Sequence, residues 1–332
     1  GTSIVFITHK LREVRAVADE ITVIRRGTVV GEASPQDSES ELANKMVGRS
    51  VMMRVDKADA HPKGGGLEFK EISMLSSTGL PLLDHVSFAV ERGEIVAVAG
   101  VQGNGQTELA QTILGLAAPN SGEILLEGID ITHAGPRKSL DAGIGFIPED
   151  RSTDGIISSF SIAENLVLDQ YKDSRFAAGP MLKLGIIAQN ARAKEEEFDI
   201  RLTSISDPVS SLSGGNQQKV VVAREMSKDL NLLVANQPTR GVDVGSIEFI
   251  HKRIVEVRDQ NIPVLLISSE LDEVISLADR IVVMYRGRVM GIVPADTPRD
   301  VLGLMMAGVP YDEAIAGEQE HAEVSDSHVE EN

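Results

Sequence analysis

A glycine-rich loop at residues 100–107, with the sequence GVQGNGQT, has the composition of a phosphate-binding site. In the pattern G-x-x-x-x-G-K-[ST], backbone N–H groups surround the phosphates and the lysine neutralises their charge. The residues that match or fill the pattern are Gly100, Gly103, Asn104, Gly105 and Thr107. Gln106 stands where the lysine belongs. The loop is therefore expected to bind a nucleotide that it cannot readily cleave.

A second pair of residues that bears on catalysis follows an apolar run. In a phosphate-loop NTPase this strand end normally carries Asp and then Glu, for the magnesium ion and the attacking water. Here both positions, Asn236 and Gln237, are amides. Asn236 is a weak partner for a metal-bound water, and Gln237 cannot accept a proton from the attacking water. A magnesium contact then rests on Thr107 and is weak. Simple turn chemistry before Pro238 is the alternative interpretation.

A third motif, LSGGNQQ, precedes an amphipathic stretch at 219–228. A serine and two glycines at a helix N-terminus offer N–H donors and a positive dipole end to an anion. The residues of this motif are Leu212, Ser213, Gly214, Gly215, Asn216 and Gln217. An ordinary N-cap loop is the alternative, because serine and glycine favour such positions.

The elements around these motifs are those of an α/β protein. Residues 94–99 form a continuous apolar run, typical of a buried parallel strand, which leads directly into the glycine loop. Residues 107–116 then have helical spacing, so the order strand, loop, helix matches the context of a phosphate loop. Residues 230–235 predict another buried strand, whereas 67–73 and 86–91 alternate like antiparallel strands.

The two ends of the chain contain a repeat. Residues 4–31 align without gaps to residues 264–291, at an offset of 260 positions. Both segments predict a buried strand, an amphipathic helix and a hairpin around Arg-Gly. Among the residues of the first segment that are identical to their partners are Leu11, Glu13, Val14, Ala18, Asp19, Ile21, Arg26, Gly27, Val29 and Gly31. A tandem duplication explains this identity better than chance does.

The repeat divides the chain into four parts: a first-copy remnant at 1–50, a linker at 51–66, a nearly whole second copy at 67–308 and a tail at 309–332. The linker is predicted from the sequence HPKGGG and its scattered charges. The tail is acidic and predicts disorder. On this interpretation Gly1 is not a natural domain start, and the sequence has the form of a truncated two-copy protein.

The composition excludes several classes of function. The absence of cysteine excludes disulfides, thiolate zinc sites and cysteine nucleophiles. A formal net charge of −18 argues against a large nucleic-acid surface, so no nucleic-acid partner is expected. An apolar share of 42% is sufficient for a core, and no apolar run has the roughly 18–20 residues of a membrane span.

The motifs LSGGNQQ, QPTRGVDVG and PEDR, together with the glycine loop, resemble in order and spacing the ATP-binding cassette of an ABC importer. More narrowly, residues 1–308 resemble the duplicated, two-cassette ATPase subunits of bacterial simple-sugar and nucleoside importers, and the nucleoside branch in particular. The resemblance implies a P-loop NTPase cassette with a central, mostly parallel sheet, an antiparallel β subdomain and a helical subdomain at about 155–228. It also implies ATP and Mg²⁺ as ligands.

The resemblance assigns roles to single residues. Such cassettes pair head to tail, and each ATP lies between one phosphate loop and the other cassette's signature. The signature at Ser213 then completes a pocket opposite to that of loop 100–107. His9 corresponds to the switch histidine of that opposite pocket, and its partner in the second copy is Ser269. Glu149 occupies the position of a glutamine that couples nucleotide to the membrane partner. Asp243 either pairs the cassettes or caps the following helix.

Four departures fall within one pocket: Gln106, Asn236, Gln237 and Ser269. They predict an asymmetric ATPase in which this pocket hydrolyses negligibly and the opposite pocket is active. The expected function is an energy-coupling subunit of an importer for nucleosides or simple sugars, at the cytoplasmic face of the plasma membrane. The expected partners are permease subunits, a first cassette of the same chain and, indirectly, a substrate-binding protein. A soluble duplicated cassette acting on ribosomes or another assembly is the alternative, and an inert remnant is a third.

Overall fold

The computed structural model describes residues 2–8, 10–25, 27–50 and 55–316. We call the described part of residues 2–50 the first-copy segment. Its elements are α1 (Leu11–Val17), β1 (Ile21–Arg25), β2 (Thr28–Ala33) and α2 (Glu39–Val47). A capping box between Ser38 and Glu41 begins α2, and Gly48 ends it in the left-handed conformation.

The second copy supplies the remaining strands and α-helices. In chain order they are β3 (Leu67–Leu75), β4 (Pro81–Val90), β5 (Ile95–Ala99), α3 (Gln106–Ile113), β6 (Ser121–Leu126), β7 (Ile129–Asp130), α4 (Gly135–Asp141), β8 (Ile144–Ile147), α5 (Ile162–Asn165), β9 (Ala177–Ala178), β10 (Met181–Leu182), α6 (Leu184–Glu197), α7 (Gly214–Glu225), β11 (Leu232–Asn236), α8 (Val244–Asp259), β12 (Val264–Ser268), α9 (Leu271–Leu277), β13 (Arg280–Tyr285), β14 (Arg288–Pro294) and α10 (Arg299–Met306).

Within residues 55–316, the main sheet has six strands in the order β14-β13-β5-β12-β11-β8. All neighbours are parallel except β13 and β14. Every residue of β5, β12 and β11 is buried, because the sheet is covered on both faces, and this explains their continuous apolar sequences. A second, antiparallel sheet in the same range has the order β4-β3-β6-β7. The predicted α/β class with a mostly parallel central sheet is confirmed.

The two faces of the main sheet belong to two separate cores. Ile95, Ala97 and Ala99 of β5 face a core that includes residues of α7, α8 and α10. Val96 and Val98 face a core shared with α3 and the antiparallel sheet. This alternation holds the end of β5, and hence the glycine loop that follows it, between two packed layers. The region predicted as a helical subdomain contains α5, α6, α7 and the hairpin β9–β10.

The repeat extends into the backbone geometry of both copies. At the offset seen in the sequence, α1, β1, β2 and α2 correspond to α9, β13, β14 and α10. Each hairpin has a bulge at the same step, between Val23 and Ile24 in the first and between Val283 and Met284 in the second. The correspondence therefore reaches beyond residue 31, through α2 and α10.

The strand predicted at the start of the first copy is wrong. Residues 4–8 have no regular structure, and Ile4, Val5 and Ile7 are 86%, 89% and 93% exposed. The equivalent strand, β12, forms hydrogen bonds to β5 on one side and β11 on the other. Within the described residues no strand lies beside residues 4–8, so their backbone cannot form a sheet.

The linker and the tail are more ordered at their described ends than the sequence indicates. Residues 51–54 and 317–332 lie outside the described residues. Lys57 contacts the second copy, because its ammonium forms an ion pair with Asp279 at 2.7 Å and donates to the carbonyl oxygen of Leu277 at 2.8 Å. Residues 311–316 are helical, and Ala314 is fully buried in the main core. The structure therefore differs from the predicted disorder at 309–316.

Candidate functional site

Three adjacent strands end at the same edge of the main sheet and bring the predicted site residues together. β5, β12 and β11 are parallel neighbours. The glycine loop follows β5, Ser269 follows β12, and Gln237 follows β11. Ligands of open α/β sheets bind in the crevice at this carboxyl edge. The topology thus supports the assignment of these residues to one site.

The side chain of Gln106 folds back onto the glycine loop. Its Nε2 donates to the carbonyl oxygen of Val101 at 3.1 Å, and its Oε1 accepts the N–H of Asn104 at 3.0 Å. A lysine ammonium has three donors and no acceptor, so it could not engage the N–H of Asn104. Replacing lysine by glutamine therefore removes a charge and also occupies one of the N–H groups available to a phosphate.

Two glycines of the loop, Gly100 and Gly105, have no room for a side chain, whereas the third is open. Gly105 has φ +103°, and a Cβ there would lie 2.8 Å from the carbonyl oxygen of Leu82. A Cβ at Gly100 would lie 2.8 Å from the carbonyl oxygen of Met284. Gly103, with φ +90°, has open space around it. The backbone can therefore be approached closely at Gly103, as a phosphate cradle requires.

The turn between β13 and β14 holds the loop in place. The N–H of Arg286 donates to Oδ1 of Asn104 at 3.0 Å, and the N–H of Gly287 donates to the carbonyl oxygen of Asn104 at 3.0 Å. Thr107, in the first turn of α3, is exposed. The loop thus keeps a supported backbone and an accessible hydroxyl beside the altered position 106.

Gln237 and Ser269 contact each other. Nε2 of Gln237 donates to Oγ of Ser269 at 3.0 Å. Gln237 has φ +49°, a left-handed conformation that is uncommon for a residue other than glycine. Asn236, the last residue of β11, is buried. Because an amide does not take a proton from water near neutral pH, this strand end offers no general base.

Glu149 joins the glycine loop to the segment that follows β11. Its Oε1 accepts a hydrogen bond from Nε2 of Gln102 at 2.9 Å, and Arg240 forms an ion pair with the same oxygen. Position 149 therefore contacts both the loop before α3 and the segment after Gln237.

The signature residues form the N-terminus of α7. Ser213 is the N-cap of α7 and is exposed, and Nδ2 of Asn216 donates to its Oγ at 3.0 Å. Gln217 Nε2 donates to the carbonyl oxygen of Leu212 at 3.1 Å. Close packing requires a glycine at position 215. A Cβ at Gly215 would lie 2.4 Å from Oγ of Ser246.

Asp243 is the N-cap of α8. It accepts hydrogen bonds from the N–H of Ser246 at 3.1 Å and from its Oγ at 2.8 Å. The next residue, Val244, packs in a small core with Leu11 and Leu42 of the first-copy segment. Capping is thus one of the two roles considered for Asp243, and the helix that it begins contacts the other copy.

A cavity of about 670 Å³ lies between the first-copy segment and the second copy. Lys10, Arg12 and Glu39 line one side, and Gln102, Gln237 and Ser269 line the other. The site edge of the main sheet therefore faces the first-copy segment. His9, predicted as a switch residue, lies outside the described residues.

A buried acidic group beside this cavity was missed by the sequence interpretation. Oε1 of Glu273 accepts a hydrogen bond from Thr239 Oγ1 at 2.7 Å and lies 3.0 Å from Nε2 of His251. Burial raises the pKa of Glu273, but the contacts with His251 and Thr239 outweigh it, so the pKa lies below its ordinary value. The identity of Glu13 and Glu273 in the repeat was the available signal.

The residues present fit a nucleotide phosphate better than a magnesium ion. The glycine loop retains its open position at Gly103 and the exposed hydroxyl of Thr107. Magnesium prefers carboxylate and water oxygens, yet the strand end carries the amide of Asn236. In the part of the chain that the structure describes, no group of three or more His, Asp or Glu side chains could hold a metal ion.

The fold and site define an α/β phosphate-loop protein, and comparisons with known proteins specify the class. Residues 83–240 match the family model described as ABC transporter. Solved ABC transporter cassettes have the same fold. The cassette MJ1267 superposes with a TM-score of 0.63 at 21% identity, over 74% of this chain and 99% of that chain. The dimeric bacterial cassette MJ0796 gives a TM-score of 0.61 at 20% identity, over 70% and 100%. The predicted cassette fold is confirmed.

Curated relatives are similar over almost the whole of this chain. The nucleoside import ATP-binding protein NupA of Lactococcus lactis subsp. cremoris (strain MG1363) is 46% identical over 310 residues, which are 93% of this chain and 61% of NupA. The glucose import ATP-binding protein TsgD13 of Haloferax volcanii is 44% identical, over 96% and 59%. The guanosine import ATP-binding protein NupO of Bacillus subtilis (strain 168) is 42% identical, over 95% and 62%.

The match over residues 83–240 assigns this part of the chain to the ABC transporter family, and the chain is similar over 93–96% of its length to ATP-binding proteins of importers. It spans about 60% of the length of the curated relatives that it matches. None of the helices in the described ranges has both the length and the apolar sequence of a membrane-spanning segment.

Proposed function

We propose that this chain is part of the energy-coupling ATPase of an importer for nucleosides or simple sugars. Similarity to NupA and NupO supports nucleosides, whereas similarity to TsgD13 supports a sugar. The proposed partners are permease subunits at the cytoplasmic face of the plasma membrane, a first cassette equivalent to the second, and indirectly a substrate-binding protein. ATP binding closes the pair of cassettes, and hydrolysis in one pocket reopens it.

The two pockets of this pair have different roles in the proposal. The pocket of loop 100–107 holds nucleotide weakly and does not hydrolyse it. The signature at Ser213 completes the opposite pocket, where His9 acts as the switch residue and hydrolysis takes place. Exposure of Ser213 at the N-terminus of a twelve-residue helix supports this role, because N–H donors there remain available to a phosphate.

The observation that carries the proposal is that the Gln106 side chain is hydrogen-bonded to the backbone of the glycine loop. A phosphate that enters the loop must displace the Gln106 oxygen from the N–H of Asn104 and gains no cation in return. The Gln237–Ser269 contact adds a second deficit, because neither side chain replaces a carboxylate base. Losing one such electrostatic group typically costs on the order of 10²–10³ in rate.

The test is to restore the lysine alone with Gln106→Lys. This substitution frees the N–H of Asn104 and adds a cation that can contact a phosphate. Both changes should strengthen phosphate binding in the loop. We expect the affinity for a fluorescent ATP analogue to rise by about 10–100-fold, which corresponds to a contact of about 1.5–3 kcal/mol. Hydrolysis should remain at background, because Gln237 is unchanged. Equilibrium titration and phosphate release measure the two properties.

Gln111→Lys, on the same helix but beyond the loop, is the matched control and should leave affinity unchanged. Equal affinity for the unmodified chain and Gln106→Lys would contradict the role of Gln106. Rapid hydrolysis by the unmodified chain would contradict the inactive pocket. Fractionation of cells then tests the setting: membrane association supports transport, whereas co-sedimentation with ribosomes supports the soluble alternative.

A further inference from the structure

Two ion pairs between the copies join residues at equivalent positions of the repeat. Nζ of Lys10 lies 3.0 Å from Oε1 of Glu270, and Nη1 of Arg12 lies 3.0 Å from Oδ1 of Asp272. Both pairs are separated in sequence by the repeat offset of 260 residues. Each copy therefore presents the same helix end, the start of α1 or of α9, to the other.

Contacts between equivalent residues indicate a local two-fold axis. In a two-fold interface, a residue that contacts its own equivalent lies on or near the axis. Lys10 and Glu270 are the N-cap residues of α1 and α9, and Arg12 and Asp272 are the second residues of these helices. The helices thus meet by their N-terminal turns around a pseudo-two-fold axis between the copies.

The charges on the two sides of this axis are inverted. The first copy supplies the cations Lys10 and Arg12, and the second supplies the anions Glu270 and Asp272. The inversion continues to a third pair of equivalent positions, 39 and 299. Arg12 also lies 3.4 Å from Glu39, and Asp272 forms an ion pair with Arg299. Signs alternate along the whole row: Glu39, Arg12, Asp272, Arg299.

Apolar packing brings the two sides into register beside the charges. Leu11 and Leu42 share a buried cluster with Val244 at the start of α8. A Cβ at Gly245 would lie 3.3 Å from Val47. Further along α8, Arg49 forms an ion pair with Glu248 at 2.7 Å. The apolar contacts supply attraction of low selectivity, whereas the charges distinguish one copy from the other.

We propose that this inverted charge pattern selects pairing of a first copy with a second copy and opposes pairing of two second copies. In a second-with-second pair, the same axis would place Glu270 against Glu270 and Asp272 against Asp272. Like charges so placed repel, and this repulsion rejects the wrong partner even though the apolar surfaces match. The proposal concerns assembly only and does not depend on nucleotide binding or hydrolysis.

The Lys10–Glu270 contact can be tested directly in the full chain. A carbodiimide joins an amine to a carboxylate only when they are in contact, so it should link Lys10 to Glu270. We expect the link within one chain when ordinary and ¹⁵N-labelled chains are mixed before treatment and analysed by mass spectrometry. A link found mainly between chains, or no link at these positions, would overturn the proposal.

Charge reversal tests selectivity. Lys10→Glu/Arg12→Asp and Glu270→Lys/Asp272→Arg should each speed amide hydrogen exchange in α1 and α2 by about tenfold, because attraction becomes repulsion. Combining all four substitutions restores opposite charges across the axis but places like charges at the 12–39 and 272–299 contacts, so exchange should be slower than in either double variant yet faster than in the original chain. The control Asp19→Lys/Glu20→Lys makes the same change in net charge as Glu270→Lys/Asp272→Arg, but at exposed residues between α1 and β1, and it should leave exchange unchanged.

Mixing the two reversed chains gives a distinct outcome. Each alone has like charges at its axis, but the acidic second copy of one complements the basic second copy of the other. Sedimentation velocity should therefore show dimers in the mixture at low salt and monomers in either solution alone, with the dimers lost at 0.5 M salt as screening increases. Exchange in the fourfold variant as fast as in either double variant, or equal association in all samples, would overturn the proposal.

Discussion

Residues 10–48 and 270–308 repeat the same helix, bulged hairpin and helix, whereas residues 4–8 and 264–268 differ completely. The helices and hairpins form their backbone hydrogen bonds locally, so they need little from the rest of the chain. A central parallel strand obtains its hydrogen bonds from two neighbours that are distant in sequence. The two similar sequences therefore form the same helices and hairpins, but only residues 264–268 form a strand.

Some equivalent positions of the repeat have the same structural role in both copies, and others do not. Gly27 and Gly287 both form the hairpin turn, with φ +76° and +78°. Glu13 and Glu273 are identical, yet Glu13 is exposed and Glu273 is buried against His251. Identical residues at equivalent positions therefore have different environments in the two copies. Matched substitutions at equivalent positions test this interpretation.

The largest difference in the free energy of unfolding is expected between substitutions in β12 and in the equivalent residues 4–8. Leu266→Ala removes a fully buried side chain from β12 and should lower the free energy of unfolding by about 2–5 kcal/mol. Phe6→Ala, at the equivalent position, removes a side chain that is 53% exposed and should change it by less than about 0.5 kcal/mol. Urea denaturation followed by circular dichroism measures both. Equal losses would mean that residues 4–8 are packed in a strand.

A smaller difference is expected at the turn glycines. Alanine at either position should lower the free energy of unfolding by about 1–2 kcal/mol, because the left-handed conformation is unfavourable for it. Gly287→Ala should cost about 1–3 kcal/mol more than Gly27→Ala, because its Cβ would lie 2.5 Å from the carbonyl oxygen of Leu82. Space around Gly27 is open within 4 Å. Denaturation compares the two costs.

Amide exchange adds a local readout to the glycine comparison. The N–H of Gly287 donates a hydrogen bond to the carbonyl oxygen of Asn104 in the glycine loop. Gly287→Ala should therefore also speed amide exchange in that loop, whereas Gly27→Ala should not. Equal costs and unchanged loop exchange would show that this turn does not support the loop.

The third difference concerns the two glutamates and depends on pH. At pH 7, Glu273→Gln should cost about 1–3 kcal/mol, because it weakens a buried hydrogen-bonded group, whereas Glu13→Gln should be near neutral. The folded-state pKa of Glu273 is below its ordinary value. The carboxylate therefore stabilises the fold above the ordinary glutamate pKa of about 4.3, and this contribution is lost as pH falls through the folded pKa.

Denaturation between pH 7 and pH 3 measures the glutamate effect. The loss of stability on acidification should be smaller in Glu273→Gln than in the unmodified chain, and Glu13→Gln should follow the unmodified chain. Parallel curves for all three proteins would contradict a stabilising ionised Glu273.

Much of the second copy was predictable because its signals are local. Apolar runs marked β5 and β11, and alternation marked the hairpin of β3 and β4. The spacing of the glycine loop and of LSGG identified both motifs before any contact was known. Glu273 was missed because burial of a charged side chain has no local signature, and residues 4–8 were mispredicted because their apolar pattern is that of a strand.

The sequence by itself determined the kinds of residue at the site: a phosphate loop with Gln106, amides at 236 and 237, and Ser269 opposite His9 in the repeat. Only the tertiary structure decided what these residues contact. In the fold, Gln106 accepts a hydrogen bond from the N–H of Asn104, and Gln237 donates one to Ser269. Lys10 and Arg12 form ion pairs with the residues at their equivalent positions in the second copy. Side-chain type and spacing are properties of the chain, whereas a hydrogen bond or ion pair depends on which distant segments the fold brings within about 3 Å of each other.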